Sequence, residues 1–179
     1  MSDIFLLRHF DEPVPLPALQ AMAEESMGCF PLYRVTWQQS FFSTGEQDLL
    51  CHFRGPDAES IRTALRNGDA DMRIHFPGTT HDAPGRTEEE ILEANVIVHR
   101  SFDEPVDLDA LQAQEDASLH CLENHRVTFM RTFLSADRRR MACLYKAPDA
   151  ESVRIAQREA GMPVESAWSF LRISPEQAA

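Results

Sequence analysis

Positive charge is scarce in this chain. Against 29 Asp and Glu stand 17 Lys and Arg, a formal net charge of −12, so the surface field repels a phosphate backbone and nucleic-acid binding is set aside. No apolar run reaches the roughly 18 residues of a transmembrane helix. The apolar segment Ile4 to Leu7, closed by Arg8, is far too short for a secretory signal. The expectation is a soluble, cytoplasmic protein with no membrane partner. The four cysteines, Cys29, Cys51, Cys121 and Cys143, make no C-x-x-C pair, which argues against a zinc or disulfide framework and fits a reduced compartment. Gly-rich phosphate loops, G-x-S-x-G elbows and H-E-x-x-H helices are all missing. What remains is globular composition, 43% hydrophobic and 26% charged over 179 residues, enough for one ordinary domain or two small ones.

What the chain does have is itself, twice. A shift of 92 residues lays Arg8 on Arg100, Phe10-Asp11-Glu12-Pro13-Val14 on residues 102–106, and Ala18-Leu19-Gln20-Ala21 on residues 110–113. Cys29 meets Cys121, Arg34-Val35-Thr36 meets residues 126–128, and Pro56-Asp57-Ala58-Glu59-Ser60 meets residues 148–152. Between residues 3–62 and 95–154 there are 25 identities in 60 positions with no gap, which identifies a tandem duplication. The domains read as 1–77 and 95–179. Between them, 78–94 reads as a linker in which Thr87 and Glu90 have capping-box spacing ahead of a short helix.

Each copy spells the same elements. Residues 4–10 and 96–102 read as a first strand and are followed by a helix, with Asp107 as N-cap in the second copy. Alternation over 34–43 and 126–135, and again over 48–54 and 140–146, gives a hairpin. A second helix starts at Asp57 or Asp149, stops at Gly161-Met162-Pro163 in the second copy, and leads to a last strand over 164–172, or 71–76 in the first. The order is βαββαβ, twice. The predicted fold is therefore α+β, two tandem ferredoxin-like units, expected to form an intramolecular pseudo-dimer of α/β-barrel-like character, sheet against sheet.

The seven histidines have no histidine at the equivalent position 92 residues away. A metal site duplicated with the fold would appear twice, so any site here is single. His9, His52 and His75 fall on first, third and fourth strands, which neighbour one another in a 4-1-3-2 sheet, and strand register decides whether they meet. Cys51 and Cys143 lie mid-strand in apolar surroundings and read as inert buried thiols. Arg8 and Arg100, with the Asp-Glu turns that follow, read most simply as surface ion pairs. Trp37 and Phe129 read as core aromatics or as the wall of a pocket.

The run Met141 to Arg154, with its Cys143 and Tyr145 strand, its Ala-Pro-Asp-Ala-Glu helix start and the Gly-Met-Pro stop beyond it, resembles the small nickel-responsive, ferredoxin-like protein family, most of whose members have no assigned activity. The resemblance covers residues 95–173 and, more weakly, 3–76. It implies domains that pair as dimers, here fused into one chain, with homo-oligomerisation left open. It also implies nickel or another divalent transition metal near the end of the first strand, where His9 lies and His99 is close by. The metal candidates are thus His9, His52, His75 and His99. The expected function is non-catalytic binding of a metal ion or small molecule held between the halves. A small cavity enzyme of the monooxygenase, isomerase or cyclase kind is the alternative, and a protein-interaction module the second alternative.

Overall fold

The duplication reappears as a repeated backbone. Arg34 and Arg126 both take a left-handed conformation at φ 56°, and Glu46 and Arg138 do so at φ 60° and 57°. A bulge interrupts strand pairing between Trp37 and Gln39 in one copy and between Phe129 and Arg131 in the other. Non-glycine residues rarely adopt positive φ, and a bulge is a specific local device, so matched occurrences at the 92-residue spacing mark one fold used twice.

The computed structural model describes residues 1–67 and 74–175. The first copy runs β1 (Ser2–His9), α1 (Leu16–Met27), a 3-10 turn (Phe30–Tyr33), β2 (Thr36–Ser43), β3 (Asp48–Gly55), α2 (Ala58–Asn67) and β4 (Ile74–Asp82). After α3 (Glu88–Leu92) the second copy runs β5 (Val96–Ser101), α4 (Leu108–Ala117), α5 (Leu119–Asn124), β6 (Thr128–Ser135), β7 (Arg140–Lys146), α6 (Ala150–Glu159) and β8 (Ser166–Ile173). The protein is α+β, built of two ferredoxin-like βαββαβ units. Two compact units divide the chain: Met1–Gly78 with Phe170–Ala179, and Thr79–Ser169.

In the first unit the antiparallel order is β4-β1-β3-β2, with the last residues of β8 pairing Ser40–Ser43 of β2. In the second it is β8-β5-β7-β6. Both are the 4-1-3-2 order that a split βαβ unit requires. One sheet face in each unit packs on its helices. Ile4, Leu6 and Phe53 meet Leu19, Ile61 and Leu65 in the first, while Val96, Val98 and Cys143 meet Leu111, Val153 and Ala156 in the second. Each fully buried aliphatic or aromatic side chain contributes about 1.5–3 kcal/mol. The two cores trade volume locally. A Cβ on Gly55 would lie 3.0 Å from Ile61 Cδ1, and the second copy has Ala147 where Gly55 stands and the smaller Val153 where Ile61 stands.

Helix ends follow the sequence closely. Asp107 and Asp149 accept cap hydrogen bonds, Thr87 and Glu90 form a reciprocal capping box, and Gly161 turns the chain out of α6 at φ 68°. Three details differ from expectation. The helical periodicity through Leu122 is broken at Ser118, which divides α4 from α5, and Phe30 belongs to the 3-10 turn instead of α1. β4 continues past residue 76 into the segment that reads as a linker, because Pro77 and Gly78 pair with β1 opposite Ile4 and Asp3, and the β-branched Thr79 and Thr80 extend the strand. The 71–73 part of the strand predicted over 71–76 lies outside the described residues. No helix among the described residues is long and apolar enough to cross a membrane.

Candidate functional site

The strand alternation that sends Val96 and Val98 under the helices sends Arg100 there too. It is 1% exposed, so the expected surface ion pair is not formed. Arg139 takes that role at the acidic turn instead, donating to the Asp103 carbonyl at 2.5 Å and lying 3.6 Å from Glu104. Arg100 reaches inward. Its Nη1 donates to the Pro163 carbonyl at 2.9 Å, and its Nη2 donates to Tyr145 Oη at 3.0 Å and to Gln157 Oε1 at 2.9 Å. Its Nε is buried with no hydrogen-bond partner. β5, β7 and α6 thus place a cation, a phenol and an amide at one point.

Tyr145 and Gln157 are also at the wall of a cavity of about 410 Å³. Leu122, Phe129 and Met162 give it apolar sides, and the break at Ser118 gives it a roof of Glu115 from α4 and Leu119 from α5. Burial pushes the Tyr145 phenol well above its ordinary pKa, against the pull of Arg100. Burial likewise raises Cys143 and Glu115, with Arg100 again the opposing influence. For Arg100 burial works against the charge, but the neighbouring Tyr145 and Cys143 and the Tyr145 hydrogen bond hold its pKa above the usual arginine value. The guanidinium therefore stays charged while phenol and thiol stay neutral near pH 7.

The same place in the first unit is built differently. A smaller cavity of about 180 Å³ lies there, walled by Leu19, Met22, Phe30, Trp37, Phe53 and Leu65, with Arg8 on its lining. Arg8 is half-buried and its guanidinium carbon sits 4.8 Å over the Phe10 ring. Phe53, Leu65 and Ala23 stand where the second copy has Tyr145, Gln157 and Glu115. Cys51 lines this pocket, with its thiol pushed up to about 11 by burial, and Trp37 Nε1 donates to Ser40 Oγ at 2.9 Å. Trp37 and Phe129 are each a pocket wall within their own unit.

The histidines lie apart. His9 Nδ1 is 2.8 Å from Asp48 Oδ1 at the exposed end of β1. His52 bonds Asp3 at 2.9 Å and stacks on Phe5 at a centroid distance of 4.8 Å. Register puts His9 opposite Asp48 and His52 opposite Phe5, the same sheet face but four residues apart along β1, about 13 Å. His75 pairs with Leu6 and so falls on the other face, where Arg62 of α2 is 2.7 Å from its Nε2. His99 is buried in the second unit with its ring 5.5 Å from Trp168. Among the described residues no group of three or more His, Cys, Asp and Glu is placed to hold an ion, so the side chains do not fit a closed nickel site, which takes several convergent nitrogen, sulfur or oxygen donors.

Tyr145, Gln157 and Glu115 were not singled out by sequence reasoning as site residues. The signal was present in the repeat: three core positions that are Phe, Leu and Ala in one copy become Tyr, Gln and Glu in the other, around an arginine that both copies keep.

A family model described as nickel-responsive protein SCO4226-like matches residues 5–73 and again 96–169. No curated protein matches the chain. The crystal structure of SCO4226 from Streptomyces coelicolor A3(2) is similar over 41% of this chain and 91% of that one, at 20% identity and a TM-score of 0.38. Two longer structures align with nearly the whole chain. TA0507, named as a candidate chlorite dismutase, covers 99% of this chain and 96% of its own at 9% identity and TM-score 0.54. The chlorite dismutase from Candidatus Nitrospira defluvii in complex with imidazole covers 99% and 95% at 13% identity and TM-score 0.51. At these identities the likeness is one of fold.

Proposed function

Because the chain belongs to the SCO4226-like family of nickel-responsive proteins, matched once in each copy, we propose that it is a non-catalytic binding protein and that its principal site is the cavity of the second unit. One observation carries this reading: a buried arginine fixes two polar side chains at the wall of a cavity whose apolar side is made by Leu122, Phe129 and Met162. That is how a small-molecule site is organised, with many apolar contacts for affinity and few polar ones for orientation. The non-catalytic part rests on the groups themselves. Burial keeps Cys143 as a thiol and Tyr145 as a phenol, so neither is an activated nucleophile or base. Four free thiols fit a reducing compartment, and we read the protein as cytoplasmic.

Calorimetric titration with 2-methylnaphthalene, an apolar probe of suitable size, tests the cavity. Binding is expected to weaken about tenfold or more in Ala160→Trp, which places an indole in the cavity wall. An affinity that Ala160→Trp leaves unchanged would remove the site from this cavity.

The family's name supports a second reading, one divalent ion at His9 and Asp48. These give two donors at the exposed end of β1, and the second copy has Ser101 and Arg140 in their place. Two donors hold an ion weakly. Titration with nickel is expected to show at most one weak site per chain, abolished by His9→Ala. Two equivalent sites, or a tight one indifferent to that substitution, would end this reading.

A further inference from the structure

The bonds of Arg100 determine what Tyr145 and Gln157 have left to offer. A guanidinium has donors only, so the amide must present Oε1 to it and turn Nε2 away, and the phenol oxygen must accept and leave its O–H to the neighbouring Cys143 sulfur, a weak acceptor that a carboxylate displaces. What the cavity wall retains for a ligand is therefore a hydroxyl and an amide N–H, both donors. Behind them is a permanent positive charge. Arg100 has no carboxylate within ion-pair distance among the described residues, and its Nε is buried without a partner. The protein's overall charge of −12 matters little at this depth, because exposed charges are screened over about 8 Å of physiological salt while a buried cation is not.

We infer that the cavity of the second unit binds a small organic acid, with an apolar, ring-sized body against Leu122, Phe129 and Met162 and its carboxylate received by Tyr145 Oη and Gln157 Nε2. This rests on the reading of the cavity as the binding site and adds the chemical class of the ligand. Arg100 is a positioning residue. It sets the direction of both donors and supplies the countercharge without touching the ligand. Of the carboxylates on the lining, Asp116 and Glu123 are exposed and Asp116 is already engaged by Gln112 Nε2 at 2.8 Å, while burial shifts Glu115 in the roof toward its neutral form against the pull of Arg100, so the acidic groups do not reverse the sign at the wall. The first copy is the built-in control. It keeps an arginine but has Phe53 and Leu65 at the reader positions, where nothing donates.

The experiment compares 2-naphthoate, 2-naphthamide and 2-naphthylmethylammonium by calorimetry on the full chain. Two charge-assisted or neutral hydrogen bonds and a countercharge favour the carboxylate by about tenfold or more over the amide, and more over the ammonium. Tyr145→Phe/Gln157→Leu, which installs the first copy's residues, is expected to remove this preference while a thermal melt shows the fold retained. If that pair fails to fold, Gln157→Glu serves, since a carboxylate against Arg100 gains a charge-assisted bond and repels the ligand's own. Its expected result is an inverted preference for the ammonium. Preferred binding of the ammonium by the wild type, or a carboxylate preference untouched by these variants, overturns the ligand class while leaving the cavity. Probes whose binding ignores Ala160→Trp overturn the cavity reading and this inference with it.

Discussion

Arg8 lies half-buried across the Phe10 ring at the mouth of an apolar pocket, whereas Arg100, at the same strand position 92 residues on, is closed in by Tyr145, Gln157 and the Pro163 carbonyl. The strands around them agree down to their bulges and positive-φ residues, while the helix packed on them runs unbroken through Met27 in the first copy and is broken at Ser118 in the second. The difference is made by partners. Where the neighbours are Phe53 and Leu65, neither offers an oxygen to a buried guanidinium, and Arg8 is half-buried with its flat face over an aromatic ring. Where they are Tyr145 and Gln157, burial leaves most of its donors satisfied. A duplicated scaffold thus fixes where a side chain starts, and two or three lining residues decide whether the place becomes a hydrocarbon pocket or a polar site.

Removing the two arginines is the most severe way to break this comparison. Arg100→Met leaves the Tyr145 and Gln157 acceptors buried without their donor, at about 1–3 kcal/mol for each group stranded, so the expected loss is about 3–5 kcal/mol. Arg8→Met, at a half-buried position where the cation–π contact is worth about 0.5–1 kcal/mol and the aliphatic packing is largely kept, is expected to cost less than Arg100→Met. Urea denaturation of both variants, read as a shift in midpoint at constant slope, measures the difference. Equal losses would mean that the two arginines do the same job and that the polar cluster is incidental.

Much of this architecture is legible in the sequence, because its signals are local and occur twice. The helix starts at Asp107 and Asp149, the Thr87–Glu90 box and the Gly161 stop each depend on residues within four positions of one another. Duplication then confirms each strand by its copy. The site is harder to read for a physical reason. His9, His52 and His75 lie on adjacent strands, but a face and a distance along the strand follow from register, which no local pattern contains; register separates the first two and turns the third to the other side. Arg100 misleads by its chemistry. An arginine beside an acidic turn reads as a surface pair, and only the long-range partners on β7 and α6 make burial favourable. Comparing the copies position by position, apolar against polar, is the sequence signal that locates such a cluster.

The smallest effect expected is one in which the copies should agree. Asp57 and Asp149 each accept from the backbone N–H and the hydroxyl of the serine three residues on, Ser60 and Ser152, at 2.7–2.8 Å. The backbone hydrogen bond, then the hydroxyl, holds each carboxyl below the ordinary aspartate range. A folded-state pKa below the unfolded one means that the stabilisation is fully present above the unfolded value of about 3.9 and is lost as pH falls through the lower folded value. Asp57→Ala and Asp149→Ala should therefore be slightly and equally less stable than the wild type at pH 7, with both differences shrinking as pH drops through about 4 toward 3. Denaturation midpoints across that range give the answer. Unequal losses at neutral pH, or differences that grow in acid, would show that the second helices of the two copies are not held in the same way, and the arginines could then no longer be compared on a common frame.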